Sequence, residues 1–215
     1  MIRRSVLTLA VVFGAVALTT GCASAPPVEA HPAASPAAPP AAQAMPSEED
    51  MKKMMAEMAA PAPEHKQLAK LAGTWDCEMT MYEPGKAPKV EKGVSTSRSV
   101  LNGLYIASDH RSQMDGTPFE GFEFDGYSKE KKKYFTFWAD SMGTTPMLLW
   151  GTADASGKVI TYDGETYDCG PMGQMTPRTK VTHVDADHFT FEFWAKMGDA
   201  PDFMKFMEGH YTRRK

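Results

Sequence analysis

Cysteine is scarce in this chain, with only Cys22, Cys77 and Cys169 among 215 residues, so a small disulfide-stapled scaffold is excluded. No excess of positive charge is present either: 23 basic side chains face 27 acidic ones, for a formal net charge of −4. A mildly acidic chain without a basic stripe argues against nucleic acid as a partner. Ser5 to Leu18 is the one pronounced apolar run, and it is too short to span a bilayer comfortably as a permanent helix. Gly-rich pieces such as Phe119-Glu120-Gly121-Phe122 do not open a helix, which leaves a phosphate-cradling loop without support. No Ser-His-Asp or Cys-His arrangement has usable local context. His65, His110, His183 and His210 sit on separate segments without metal-ligand spacing, so no metal and no cofactor is expected.

What is present begins with an address. Arg3 and Arg4 precede the apolar run, and Leu18-Thr19-Thr20-Gly21-Cys22 supplies small residues leading into a cysteine. That arrangement resembles a bacterial lipoprotein signal over residues 1–21, with Cys22 the acylated residue and Thr19 standing where Leu is usual. It implies a periplasm-facing protein of the bacterial envelope, at the outer membrane, with the lipid as its membrane contact. Removing Arg3 and Arg4 with the signal leaves acidic side chains in excess by six. Cys77 and Cys169 then form an even pair in an oxidising compartment, either bonded to each other or separately buried.

Residues 22–46 are nearly all Ala and Pro and read as a tether, since repeated Pro blocks helix and sheet and apolar bulk is too low to offset chain entropy. At about 3 Å per residue it would reach on the order of 70 Å when extended. Residues 47–62 predict a helix with Ser47 as N-cap and acids in the first turn. Met51, Met54, Met55 and Met58 fall on one face of it. A soft-metal site needs several converging sulfur or imidazole ligands, so the expectation is an apolar face that docks on the body or covers its mouth. Cys169-Gly170-Pro171-Met172-Gly173-Gln174-Met175 is likewise sulfur-rich, and is expected to be a flexible connection. Pro61-Ala62-Pro63 ends the first helix, and a second short one runs to Leu71 before Gly73.

Residues 63–215 then read as ten strands, at 74–82, 90–101, 104–112, 117–127, 132–141, 146–153, 158–165, 177–184, 188–197 and 204–213. Asn102-Gly103 and Asp115-Gly116 are the strongest hairpin signals, and Lys129 to Lys133 reads as a solvated hairpin tip. Helices precede the strands and do not alternate with them, so the fold class is all-β, an antiparallel meander closed into a barrel. Trp75, two residues past Gly73, is placed to plug its closed end.

Period-two alternation assigns faces. Trp75, Cys77, Met79 and Met81 share one, and Leu104, Ile106, Ser108 and His110 another. Tyr134, Thr136, Trp138 and Asp140 lie together, and Val90, Val94 and Val100 mark an apolar face that carries Thr96 and Arg98. Several faces are apolar at one end and polar at the other, the pattern of a packed floor beneath a polar-studded cavity. Arg98 would then grip an anionic headgroup, or stand outward if the register slips by one residue. His110, Trp138 and Asp140 are the other candidate ligand-binding residues, the alternative for the last two being a core Trp and a carboxylate capping the turn before Gly143.

Pro63-Glu64-His65-Lys66, Leu71-Ala72-Gly73-Thr74-Trp75, Gly121 to Gly126-Tyr127, Lys133-Tyr134, Trp138-Ala139-Asp140-Ser141-Met142, Gly151-Thr152 and Glu208-Gly209-His210-Tyr211-Thr212-Arg213 follow in order. They resemble the bacterial domain-of-unknown-function family 1579, from about Pro63 to the end. The family brings no activity that can be carried over, and the stretch after Tyr167 departs from its pattern. Gly73-Thr74-Trp75 with Arg213 in the last strand also looks like the calycin barrels: lipocalins, fatty-acid-binding proteins and nitrobindin-like haem barrels. That resemblance implies structural roles for Gly73, Trp75 and Arg213, the late Arg packing over the early Trp. The expected function is binding of a small, partly apolar molecule in the barrel without catalysis. The alternatives are a haem-dependent or isomerase-like barrel using His110 or His183, and a non-catalytic envelope interaction module.

Overall fold

The computed structural model describes residues 45–215. The signal (1–21), Cys22 and nearly all of the tether lie outside the described residues. Among the described residues no helix is long and apolar enough to cross a membrane.

Helix α1 spans Glu48–Ala59, and the Ser47 side chain caps it by accepting from the Asp50 amide at 3.1 Å. None of its residues is buried. The expectation that its methionine face docks is therefore corrected: Met51, Met54, Met55 and Met58 all face solvent. The polar tie from the Lys129 ammonium to the Ala60 carbonyl is 2.9 Å long.

Helix α2 (Pro63–Leu68) and the 3-10 turn Ala69–Leu71 behave differently. Leu68 is driven into a core with Ile106, Tyr134, Leu149, Ile160 and Tyr162. His65 is also buried; its Nδ1 accepts from the Ala62 amide at 2.9 Å, and its ring meets Tyr127 edge-on. The helix thus lids one end of the barrel.

The strands are β1 (Gly73–Met81), β2 (Lys89–Val100), β3 (Tyr105–Met114), β4 (Thr117–Ser128), β5 (Lys133–Asp140), β6 (Met147–Ala153), β7 (Val159–Gly164), β8 (Tyr167–Asp168), β9 (Gln174–His183), β10 (His188–Met197) and β11 (Met204–Arg213). Each pairs antiparallel with its neighbours, and β11 pairs with β1 from Trp75↔Arg213 to Met81↔Met207. A β9–β10 pairing from Phe189↔His183 to Met197↔Met175 completes the ring. The outcome is the expected closed antiparallel barrel of ten strands. The two-residue β8, which lies outside the ten expected strands, adds only to the rim of β9. Closure removes every long edge and satisfies the ladder. The β3–β4 turn uses Asp115 and Gly116 at φ of 52° and 77°, the left-handed pair that a two-residue hairpin demands.

A second apolar cluster seals the lidded end: Trp75, Cys77 and Tyr211, flanked by Met79, Phe189 and Phe191. The Arg213 guanidinium lies 4.0 Å over the Trp75 ring. It also donates to the carbonyls of Ala72 (2.8 Å), Lys70 (2.7 Å) and Ala186 (3.0 Å), locking the last strand to the entry of the first. Gly73, at φ 140°, makes this possible, because a Cβ there would stand 2.3 Å from an Arg213 nitrogen.

The face assignment for β2 is corrected. Ser95, Gly93 and Ser97 point inward, while Val90 and Arg98 are exposed. Directly paired residues share a face, and the ladder sets Ser95 opposite Trp75 and Ser97 opposite Ser108, both interior. Apolar count misleads on this strand because its inner face serves a cavity instead of a packed core.

Candidate functional site

The barrel is hollow. A cavity of about 360 Å³ extends from Leu68 and Leu71 at the lid to the opposite end. Its volume lies at the lower end of the range for small-molecule sites, a few hundred to a thousand Å³. Phe119, Phe191, Phe193 and Trp138 form much of the wall. Methionines from five strands gather at the far end: Met81, Met114, Met147, Met175 and Met207. Unbranched thioethers there give an adaptable mouth.

The polar part is a belt across β2 to β5. On β4, Glu123 and Asp125 are two residues apart and so point the same way, into the cavity. Register brings Ser108 and Trp138 beside Glu123, and Ile106 and Thr136 beside Asp125. Thr136 Oγ1 donates to Glu123 at 3.3 Å, and His110 Nε2 lies 3.3 Å from the other Glu123 oxygen. Ser97 and Ser108 share a hydrogen bond of 2.8 Å. Asp125 is buried, and that burial, with the charge of Glu123 beside it, pushes its carboxyl well above the usual carboxylate range. Across the cavity Tyr162 is buried as well; desolvation first, then the charges of Asp125 and Glu123, hold its phenol firmly protonated. Burial also pushes the Cys77 thiol up to about 11, against the opposing effect of its Tyr211 hydrogen bond, so it is an inert thiol and no nucleophile.

Three of the four expected ligand-binding residues, His110, Trp138 and Asp140, line this cavity. Trp138 meets His110 edge-on at 5.2 Å and stacks on Phe119 at 6.3 Å. Its indole crosses over Gly121, where a Cβ would stand 2.4 Å from the ring. Asp140 is occupied in holding this wall: one oxygen accepts from Trp138 Nε1 at 2.7 Å and the other from the Met142 amide at 2.8 Å.

The fourth residue is a correction. Arg98 stands on the outer surface in an ion pair with Asp109 at 2.5 Å, so it holds no ligand in the cavity. Cys77 and Cys169 are both free thiols; Cys77 is buried in β1 and Cys169 follows β8, and the pairing weighed between them is not formed. Cys22 lies outside the described residues. His183 sits at the lidded end, its Nε2 buried without a partner, and burial with the nearby Lys70 charge holds the ring neutral. Among the described residues no three His, Cys, Asp or Glu side chains converge as a metal-binding group.

Sequence reasoning missed the acid pair. Phe122-Glu123-Phe124-Asp125-Gly126 alternates perfectly, and hydrophobicity would send the phenylalanines inward. The usable signal was Gly126, whose outer face is covered by Phe135 and Tyr105, where a Cβ would stand 2.5 Å from the Phe135 ring.

The family model described as "Protein of unknown function (DUF1579)" matches residues 60–213. No curated protein matches the chain. Among solved structures, Rv2717c from M. tuberculosis is similar with a TM-score of 0.53 at 14% identity, over 73% of this chain and 100% of that one. The S-type phycobiliprotein lyase CPES from Guillardia theta is similar with a TM-score of 0.53 at 9% identity, over 79% of this chain and 99% of that one. At such identities the likeness is one of fold.

Proposed function

We propose that this chain, which belongs to the DUF1579 family across residues 60–213, binds a small, partly apolar molecule inside its barrel. One observation carries the reading: a cavity of about 360 Å³ that the barrel leaves unfilled, walled by aromatic rings and methionines and crossed by a polar belt. A core built only for stability would close such a space, since voids forfeit packing energy in proportion to their volume. The void is more than twice the ~150 Å³ that accommodates a benzene.

The test uses the neutral dye N-phenyl-1-naphthylamine. Saturable fluorescence enhancement at one dye per chain is expected. Ser112 lines the cavity from β3 without a side-chain hydrogen bond among those described, so Ser112→Trp fills the space without leaving a buried polar partner unpaired. That variant is expected to weaken the dye by about tenfold or more while unfolding at the wild-type temperature. Dye binding that is absent, or indifferent to Ser112→Trp, overturns the reading.

The same proposal puts the protein at the bacterial envelope, held by a lipid on Cys22 with residues 22–46 as the tether. Support comes from Arg3, Arg4, the apolar run and Gly21-Cys22. Cys22→Ser is expected to abolish labelled-palmitate incorporation and release the protein from the membrane fraction. Retained label in that variant contradicts the anchor.

A further inference from the structure

The cavity carries a charge asymmetry that narrows the ligand. Its interior acids, Glu123 and Asp125, form no ion pair with any Lys or Arg among the described residues; the Glu123–His110 contact is the one pairing inside. The other charged groups near the cavity are already engaged. Glu91 pairs with Lys89 at 2.8 Å, Asp140 accepts from Trp138 and Met142, and Arg111 turns outward toward Glu120. Arg98, which would have supplied a cation, is outside the barrel.

Resting on the small-molecule reading above, we infer that the barrel selects organic amines: molecules with an apolar body and a protonated nitrogen that seats against Glu123 and Asp125. Two carboxyls side by side in a desolvated site cannot both ionise without a cation between them. An ammonium supplies that charge and donates to both acids, and charge-assisted hydrogen bonds of this kind are the strong ones. The aromatic wall adds to the preference, because the faces of Trp138 and Phe119 attract a cation and gain nothing from an anion. Thr136 and the Ser97–Ser108 pair leave further oxygens in the belt for N–H donors. A carboxylate ligand meets the reverse: like charge at the belt, with His110 already against Glu123 and no lysine or arginine paired to the belt among the described residues. Ligand-free, burial and Glu123 keep Asp125 protonated, so the empty cavity avoids a bare pair of charges.

Three ligands of one chain length separate headgroup from tail: decylamine, decanol and decanoate, each displacing N-phenyl-1-naphthylamine at neutral pH and below its micellar concentration. Decylamine is expected to displace the dye at about thirtyfold lower concentration than decanoate, with decanol between. In the Glu123→Gln/Asp125→Asn double variant the dye still binds and the three ligands converge to within about threefold. Decanoate binding as tightly as decylamine, or an amine preference that survives in the double variant, overturns the inference. Dye binding without amine preference removes this inference and leaves the small-molecule reading standing. A wild-type protein that binds neither dye nor decyl compound removes both.

Discussion

Trp75→Ala is expected to destabilise the barrel by about 3–5 kcal/mol, the cost of truncating a buried aromatic and leaving its cavity. Trp75 is only 2% exposed and packs edge-on against Phe189 at 4.8 Å. Its indole N–H donates to the Leu71 carbonyl at 2.8 Å, fixing the turn that brings α2 over the barrel end. The ring also carries the Arg213 guanidinium, which ties three carbonyls from two separate segments. Truncation thus removes apolar area, a hydrogen bond and the platform for the clamp. Urea unfolding followed by circular dichroism measures it, with a midpoint shift at unchanged slope as the signature. Trp75→Phe keeps the platform and loses the N–H, and is expected to cost about 1–2 kcal/mol. A loss below about 1 kcal/mol for the alanine variant would show that the lidded end does not hold the fold together.

Asp125→Asn is expected to act in the opposite direction and stabilise the protein, by on the order of 1–3 kcal/mol near neutral pH. The Asp125 carboxyl is raised in the folded state by burial and by Glu123. Between the unfolded value near 4 and that raised value, the native state holds a proton that the unfolded state has released. Wild-type stability from this group is therefore complete below about pH 4 and falls as pH rises through the raised value. An amide carries no such loss. The groups facing Asp125 are Glu123, Thr136 and the Tyr162 phenol, and the phenol remains protonated across that range. Thermal unfolding of both proteins from about pH 3 to pH 8 should show curves that coincide at the acid end and diverge upward. A variant less stable than wild type at every pH contradicts the assignment. A buried acid that costs stability is the exchange of stability for function that the proposed ligand site would require.

Much of the fold was legible because closure of a meander depends on local signals. Asp115-Gly116 can take the two left-handed positions of a tight hairpin, and Gly73-Thr74-Trp75 marks the passage from helix to first strand. Both act within a few residues, so both can be read without the fold. That His110, Trp138 and Asp140 face the interior was also legible, since β3 and β5 carry apolar floor residues, Ile106 and Tyr134, on the same face as their cavity residues. Arg98 was misplaced because β2 lacks such an anchor: its inner face is Ser95 and Ser97, and Val90 stands exposed. Orientation there comes from pairing with β1 and β3, which is long-range information. The Glu123–Asp125 pair was hidden for the same reason, its outward phenylalanines presenting the pattern of a core. The methionine face of α1 follows a helical period, but periodicity states which residues share a face and not what meets it.

A crystal of the barrel soaked with decylamine tests the central claim most directly. Electron density for one alkyl chain along the Phe119–Trp138 wall, its nitrogen within hydrogen-bond distance of the Glu123 and Asp125 carboxyls, is the predicted result. A barrel whose interior is filled by its own side chains, or an amine found only on the outer surface, would contradict it.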